Sequence, residues 1–378
     1  MNRSVAIIGT RGYPSYYGGF ETAVRRLAPY LVDQGWDVTV YGRDGSTKEG
    51  DPTRDPRVHT PVTRGIESKS LSTLSYGATA MFDASRRRPD VALVMNVANG
   101  FWLPFLRARG VPTLLNVDGI EWDRAKWGRL AKAMFRGGAK ATAWWADELV
   151  FDAHAIGDRW RRDFRRDGVF IPYGGDVPED LPIEPGLTHR GYALAVARFV
   201  PENTVGEFLE AAETVAKTHH VVIVGSTGYG GELDDKAQKL ADANARVHWL
   251  GHVSDDDRLH SLWQHAGAYF HGHSVGGTNP ALVQAMSCAA PTVARNTVYN
   301  REVLDDAAVF VEPTPSAIAD GVLRLLGDPA LQEDLSARAF ARGRAEYSWE
   351  GVCARYEESL DKLARRGRSG KKSAAGRR

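Results

Sequence analysis

Short runs of four or five apolar residues recur along this chain, and between them apolar positions return every three or four residues. The first run, Val5-Ala6-Ile7-Ile8, reads as a buried strand. From Phe20 onward Ala23, Val24, Leu27, Ala28 and Leu31 fall on one helical face. Further strands are expected over 38–41, 91–95, 113–117, 148–151 and 169–171, with a helix over 71–87. Apolar runs that alternate with amphipathic stretches argue for a parallel sheet covered on both faces.

The pattern breaks at Pro172-Tyr173-Gly174-Gly175-Asp176, followed by Pro178, Pro182 and Pro185. Proline and glycine without periodicity read as a linker. The alternation then restarts. Strands are expected over 192–196, 221–224, 247–250, 268–270, 291–294 and 308–311, and helices over 205–217, 231–243, 259–266 and 280–288. The remainder from Pro315 to about Arg365 is helical in pattern. The expectation is an α/β chain of two doubly wound domains, 1–175 and 190–345, with a ligand cleft between them. A last helix is expected over 346–365. The tail over 366–378 is basic with Gly and Ser, and is expected to be disordered.

A chain of 378 residues is long enough for two cores. Its 48 Lys and Arg nearly cancel its 47 Asp and Glu, which gives no support to whole-surface binding of nucleic acid. Cys288 and Cys353 are the only cysteines and lie far apart. No disulfide framework or cysteine zinc site follows, and a reducing cytoplasm is the natural compartment. The apolar run before Gly9 is too short for a secretory signal. No run approaches the ~18 residues of a spanning helix. The expected localisation is cytoplasmic, with at most a peripheral place at the face of the membrane.

Candidate chemistry gathers where strands end. The loop from Gly9 to Thr22 carries four glycines, and Gly18 and Gly19 stand at a helix mouth where N–H groups face an anion. A flexible turn is the plainer reading, and it explains that pair less well. In the second half Gly276-Gly277-Thr278-Asn279-Pro280 opens a helix. Asn279 suits an N-cap and Pro280 the first helical position. The free N–H groups there suit a diphosphate, the alternative being a well-capped structural helix. Arg198 closes the first strand of this half, where it could neutralise phosphate or pair with a surface carboxylate. His271 and His273 suggest a metal pair. The two rings are expected on opposite faces, however, and no third ligand follows at a fitting spacing, so a hydrogen-bonding loop is expected and no metal site. Asp118 and Glu121 are candidates for holding a hydroxyl or acting as a base, or else for capping a helix. Basic residues from Arg124 to Lys140 are interleaved with Trp127, Leu130, Met134 and Phe135. Such a stretch suits an anionic membrane surface, although a solvated helix face is the commoner explanation.

Taken together these stretches resemble one family. They are Gly-Thr-Arg-Gly-Tyr-Pro at 9–14, Gly-Gly-Phe-Glu-Thr at 18–22, Asp-Gly-Ile-Glu-Trp at 118–122 and Lys126-Trp127. Arg-Phe-Val-Pro-Glu-Asn at 198–203 and His-Gly-His-Ser-Val-Gly-Gly-Thr-Asn-Pro at 271–280 complete the set. Up to about Arg365 the chain is similar to the GT-B glycosyltransferases of the retaining family 4 group, in particular a bacterial rhamnosyltransferase-like branch. The resemblance implies two Rossmann-like domains facing across a cleft, and a helix from Trp349 to Arg365 that crosses back to the first domain. It implies transfer of a sugar, with rhamnose the candidate, from a dTDP-, UDP- or GDP-linked donor to a glycan or lipid-linked acceptor in polysaccharide assembly. No metal or cofactor is implied.

By the same resemblance Gly18 and Gly19 would border the donor phosphates, and Arg198 would contact the diphosphate leaving group. The 276–280 loop, with Gly276, Gly277, Thr278 and Asn279, would hold sugar and phosphate beside His273 and Asn203. Gln284 would reach the ribose hydroxyls. Asp118 stands where the family often has a His that contacts the sugar. Asp118 and Arg198 take the catalytic assignment, and Asp118 and Glu121 the acceptor side. The family usually has Lys at 203 and glutamates at 276 and 284, though the rhamnosyltransferase-like branch is similar to this chain at Asn203 and Gly276. Glutamine hydrogen-bonds a ribose but is not a charged acceptor. Two other readings stay open: a nucleotide-sugar 2-epimerase of the same architecture, and a non-catalytic nucleotide-sugar-binding protein. A nicotinamide oxidoreductase is disfavoured because Gly9-Thr10-Arg11-Gly12 lacks the Gly-x-Gly-x-x-Gly spacing, and a phosphate-loop NTPase because no Gly-Lys-Ser/Thr motif occurs.

Overall fold

The computed structural model describes residues 3–16, 18–47, 50–66, 72–124 and 127–375, with side chains as far as 367. It divides into two compact units, Met1–Tyr173 with Trp349–Arg378, and Gly174–Ser348.

Among the described residues the first unit runs β1 (Arg3–Ile8), α1 (Gly19–Asp33), β2 (Trp36–Val40), a short pair β3 (Gly42–Arg43) and β4 (Val62–Thr63), α2 (Ser72–Arg87), β5 (Val91–Met95), α3 (Leu103–Arg107), β6 (Thr113–Asn116), α4 (Arg129–Trp145), β7 (Glu148–Phe151), α5 (His154–Phe164) and β8 (Val169–Phe170). The main sheet is parallel, in the order β2-β1-β5-β6-β7-β8. Val5–Ile8 and all of β5 are buried because helices cover both faces. The face of α1 that the sequence picks out is the one that is buried. The expected helix start at Leu71 lies outside the described residues, as does Lys126. β3, β4, α3 and α5 were not expected. The first three are too short to carry a period, and α5 is so rich in charge that its buried Ile156, Gly157 and Trp160 do not stand out.

The second unit runs β9 (Tyr192–Val196), α6 (Val205–Val215), β10 (His220–Val224), α7 (Glu232–Ala243), β11 (Val247–Gly251), α8 (Asp256–His265), β12 (Ala268–His271), α9 (Pro280–Ser287), β13 (Thr292–Arg295), α10 (Val298–Leu304), β14 (Ala308–Val311), α11 (Pro315–Leu326) and α12 (Pro329–Glu346). Its sheet is parallel in the order β11-β10-β9-β12-β13-β14. From Gly174 onward the stretch expected to be a linker is part of this unit. Ser261 on α8 donates to the Pro182 carbonyl at 2.5 Å, Gln264 accepts from the Leu181 N–H at 3.1 Å, and Arg258 pairs with Glu184 at 2.6 Å. Proline removes donors, so side chains of the neighbouring helix supply the bonds that a regular element would make itself.

The chain returns to the first unit through α13 (Trp349–Ala375). Trp349, Val352, Cys353, Tyr356, Leu360, Leu363 and Ala364 are buried at helical spacing. They pack against α1, β5 and β6. Arg3 pairs with Asp361 at 2.6 Å, and Asn116 donates to the Tyr356 hydroxyl at 2.7 Å. The helix continues to Ala375, through most of the tail expected to be disordered, and the last three residues lie outside the described ones. Arg, Lys and Ala are good helix formers, and a helix already nucleated by a buried face extends cheaply through them.

Candidate active site

Doubly wound sheets bind ligands beyond the carboxyl ends of the strands where the winding reverses. In the second unit that place lies between β9 and β12, which pair directly. In the first it lies between β1 and β5.

The second unit's switch point is tightly stitched. After β9 the chain passes exposed Arg198, whose carbonyl accepts from Asn203 Nδ2 at 2.9 Å. Asn203 is buried, and through that bond its side chain holds the turn and keeps the Arg198 backbone in place. Thr204 follows in the left-handed region at φ +56°, an unfavourable place for a β-branched residue. Its Oγ1 donates to the Gly272 carbonyl at 2.5 Å and accepts from Arg295 Nη1 at 2.9 Å. The loops after β9 and β12 are thereby clamped together. Ser274 adds two bonds, its N–H and its hydroxyl each donating to the Glu202 carbonyl at 2.9 Å. Thr204 and Arg295 were not found by sequence reasoning. Neither belongs to a motif, although Arg295, like Arg198, follows the rule that strand-end cations face the ligand edge.

His271 and His273 correct one expectation. Residues two apart on an extended chain share a face, and the two rings stack with centroids 4.4 Å apart and planes 12° from parallel. Burial, reinforced by His273, pushes the His271 imidazole well below its usual range, so it is neutral at physiological pH. Among the described residues no group of three His, Cys, Asp or Glu side chains is set to hold a metal ion.

Beyond His273, Gly276 sits at φ +111°, which favours glycine, and Gly276 and Gly277 are half-buried. Thr278 is buried. Asn279 caps α9, its Oδ1 accepting from the Ala281 N–H at 3.0 Å, and Pro280 occupies the first turn. No acid stands in that turn, so the positive end of α9 keeps its full field. Gln284 is used differently from the expectation. Its Oε1 accepts from the Asp176 N–H at 2.9 Å and its Nε2 donates to the Asp176 carbonyl at 2.7 Å. An amide both donates and accepts, so glutamine fits this backbone pair and an ionised carboxylate, which only accepts, would not.

The first unit's strand ends are built otherwise. At Gly9 (φ +104°) a Cβ would lie 2.4 Å from the Met95 carbonyl oxygen, so glycine is required between β1 and β5. Gly18 has no such need, since its φ of −170° suits any residue. A Cβ on Gly19 would come 3.1 Å from the Tyr173 hydroxyl. Glu21, buried in the first turn of α1, accepts from the Arg11 N–H at 2.9 Å. It puts a negative charge where an anion was expected.

At the ends of β5 and β6 two polar residues sit side by side in strained backbone: Asn96 at φ +72°, ψ +133°, and Asp118 at φ +61°. Asn96 Oδ1 accepts from the Ala98 N–H at 2.9 Å, and Asn116 Oδ1 accepts from the Asp118 N–H at 2.9 Å. Asn96 was missed because a lone Asn after a strand carries no motif. Neither carboxylate caps a helix: a short 3-10 turn spans Glu121–Asp123 with no side-chain cap bond. Glu121 is buried and engaged, ion-paired with Arg124 at 2.6 Å and accepting from Trp127 Nε1 at 2.7 Å. It anchors the turn and does not point a free base outward. The Tyr173 phenol is pushed well up by burial, with Asp118, then Asp152, Tyr356 and Glu21 adding to it. It stays protonated, a donor among acceptors.

Comparison with known proteins agrees with this fold. Residues 18–174 match the family described as "Glycosyl transferase 4-like domain", and residues 180–342 the one described as "Glycosyl transferases group 1". The O-antigen chain mannosyltransferase B of Escherichia coli is 29% identical over 171 residues, covering 43% of this chain and 44% of that protein. The match thus spans less than half of that relative. Among solved structures, sucrose-phosphate synthase of Thermosynechococcus elongatus superposes with a TM-score of 0.77 at 18% identity, over 96% of this chain and 99% of that one. HepE of Anabaena in complex with UDP gives 0.75 at 14%, over 95% and 100%. WaaG, a glycosyltransferase of lipopolysaccharide biosynthesis, gives 0.72 at 14%, over 94% and 99%. At these identities the structures speak for the fold. Fold and family matches together place this chain among the glycosyltransferases of the GT-B fold, a 4-like domain followed by a group 1 domain.

Proposed function

We propose that the chain moves a sugar, rhamnose being the candidate, from a nucleotide-sugar to a glycan or lipid-linked acceptor in the assembly of cell-surface polysaccharide, with retention at the transferred carbon. The observation that carries this reading is the second unit's switch point. There an exposed Arg198 on a fixed turn shares the strand edge with an acid-free, Asn279-capped helix end. A departing nucleoside diphosphate gains negative charge, and preorganised donors and a guanidinium stabilise it without reorganising. His273, Gly276, Gly277 and Thr278 would line the sugar and phosphate, with Asn203 and Thr204 holding the turn.

In the first unit Asp118 would hold the sugar or the acceptor hydroxyl, with Asn96 beside it. Gly18 and Gly19 would take a lesser part. The HepE structures, which hold UDP and UDP-glucose, support a nucleotide-sugar donor, and the mannosyltransferase and WaaG support a polysaccharide acceptor. In a retaining transfer the acceptor attacks the face that the leaving group vacates, and the leaving phosphate takes the proton.

The test is thermal stabilisation by a panel of nucleotide-sugars and free nucleotides, since a ligand of the native state raises the melting temperature according to its affinity. A shift with one donor, and turnover of that donor only with an acceptor present, is the expected result. Turnover without an acceptor would point to an epimerase, and binding without turnover to a non-catalytic protein.

A further inference from the structure

We propose that the face made by α2, α3 and α4 of the first unit seats the protein on an anionic phospholipid surface. Large apolar side chains gather there in the open: Phe82 on α2, Phe101 in the 97–102 turn, Phe105 on α3, and Leu130, Trp144 and Trp145 on α4. Leu130 is 86% exposed and Trp144 77%. The rings form one tract. Phe82 meets Phe105 edge-on at 6.4 Å, and Phe105 stacks on Trp102 at 6.2 Å. Phe101 lies over Gly137, where a Cβ would be 3.1 Å from its ring. Leu130, Gly137 and Trp144 are seven residues apart and so occupy one row of α4.

The neighbouring row of the same helix is cationic. Arg129, Lys132, Arg136 and Lys140 follow at spacings of three and four, and none of them makes an ion pair with a described residue. Residues 97–110 and 129–145 contain no Asp or Glu. A solvated helix face accounts for the cations but not for the tryptophans and phenylalanines beside them. A row of aromatic and aliphatic side chains edged by lysine and arginine is what an interfacial helix presents to headgroups and acyl chains. A second copy of this chain fits poorly, because a two-fold contact would set one cationic row against the other. The proposal is independent of the sugar-transfer reading, and each can fail without the other.

The experiment is sedimentation of the full chain with vesicles of phosphatidylcholine alone and with vesicles that also contain phosphatidylglycerol. Binding is expected to the second kind only and to weaken as salt is raised. Arg136→Glu with Lys140→Glu is expected to lower partitioning about 100-fold or more, since two charge reversals act on an anionic surface. Trp144→Ser with Leu130→Ser is expected to lower it about 10-fold or more at any salt, through the apolar area lost. These side chains are exposed, so the melting temperature and its shift with donor should be unchanged and report that the fold is intact. Equal binding to both vesicle types, no binding to either, or binding unaffected by both double variants would overturn the proposal. So would a wild-type dimer that the Trp144→Ser, Leu130→Ser variant converts to monomer, since the face would then belong to a second copy.

Discussion

The two helices that open at the switch points, α1 and α9, look alike in the sequence and differ in what they offer a ligand. Each has a glycine pair at or just before its start. The mouth of α9 is capped by Asn279, has no acid in its first turn, and shares its strand edge with Arg198. The mouth of α1 has no side-chain cap and buries Glu21 in its first turn, turned back onto the Arg11 N–H. A carboxylate there offsets the positive end of the helix dipole, so α1 is a poor place for an anion and α9 a good one. The glycines alone leave the two mouths alike; the charge in the first turn sets them apart.

On the proposed function this contrast divides labour between the units, and substitution can break it. The largest effect is expected from Asp118→Asn. If Asp118 acts at the reacting sugar, turnover falls about 100-fold or more with donor affinity nearly unchanged. An unchanged turnover number would move the chemistry out of the first unit. Arg198→Ala is expected to weaken donor binding about 10- to 100-fold, the loss of one charge-assisted contact, with little change in melting temperature because the side chain is exposed. Titration of donor by calorimetry would show it, and an unaltered affinity would remove Arg198 from the site.

Gln284→Glu sharpens the comparison from the stability side. A carboxylate facing the Asp176 carbonyl has no proton to give, so a loss of about 1–3 kcal/mol in unfolding free energy is expected. If donor affinity instead rises with no loss of stability, Gln284 reaches a ligand. The smallest effect is on pH dependence. His189 lies 2.9 Å from His265, and His248 lies 2.8 Å from His220. Burial and the neighbouring cation or ring hold His189 and His248 below the usual range. The unfolded chain therefore binds protons that the folded unit refuses, and stability falls as pH drops through about 6.5. Melting temperature against pH should show this slope, and His248→Phe should flatten part of it.

What could be read in the sequence follows the same division. The parallel strands, the α1 core face and the Asn279–Pro280 helix start were legible, because period and capping are local properties. The place of Arg198 just beyond a strand end was legible too. Asn96, Thr204 and Arg295 were not. Their roles come from backbone strain and from bonds to residues 22, 68 and 91 positions away, which no window along the chain contains. Gln284 and Glu121 have partners that the sequence does not show, for a related reason: Gln284 bonds the Asp176 backbone, and Glu121 meets Arg124 and Trp127.

The last helix has a consequence for how the protein is made. A ribosome delivers β1 through β8 first, and the apolar face of α13 that covers α1, β5 and β6 emerges only after the whole second unit. Until then the nascent first unit exposes part of its core, including Asn116 without the Tyr356 hydroxyl it bonds. The amino-terminal unit therefore completes its core only after the carboxy-terminal one has been synthesised, and a chain that stops at Ser348 is expected to leave that apolar surface in water.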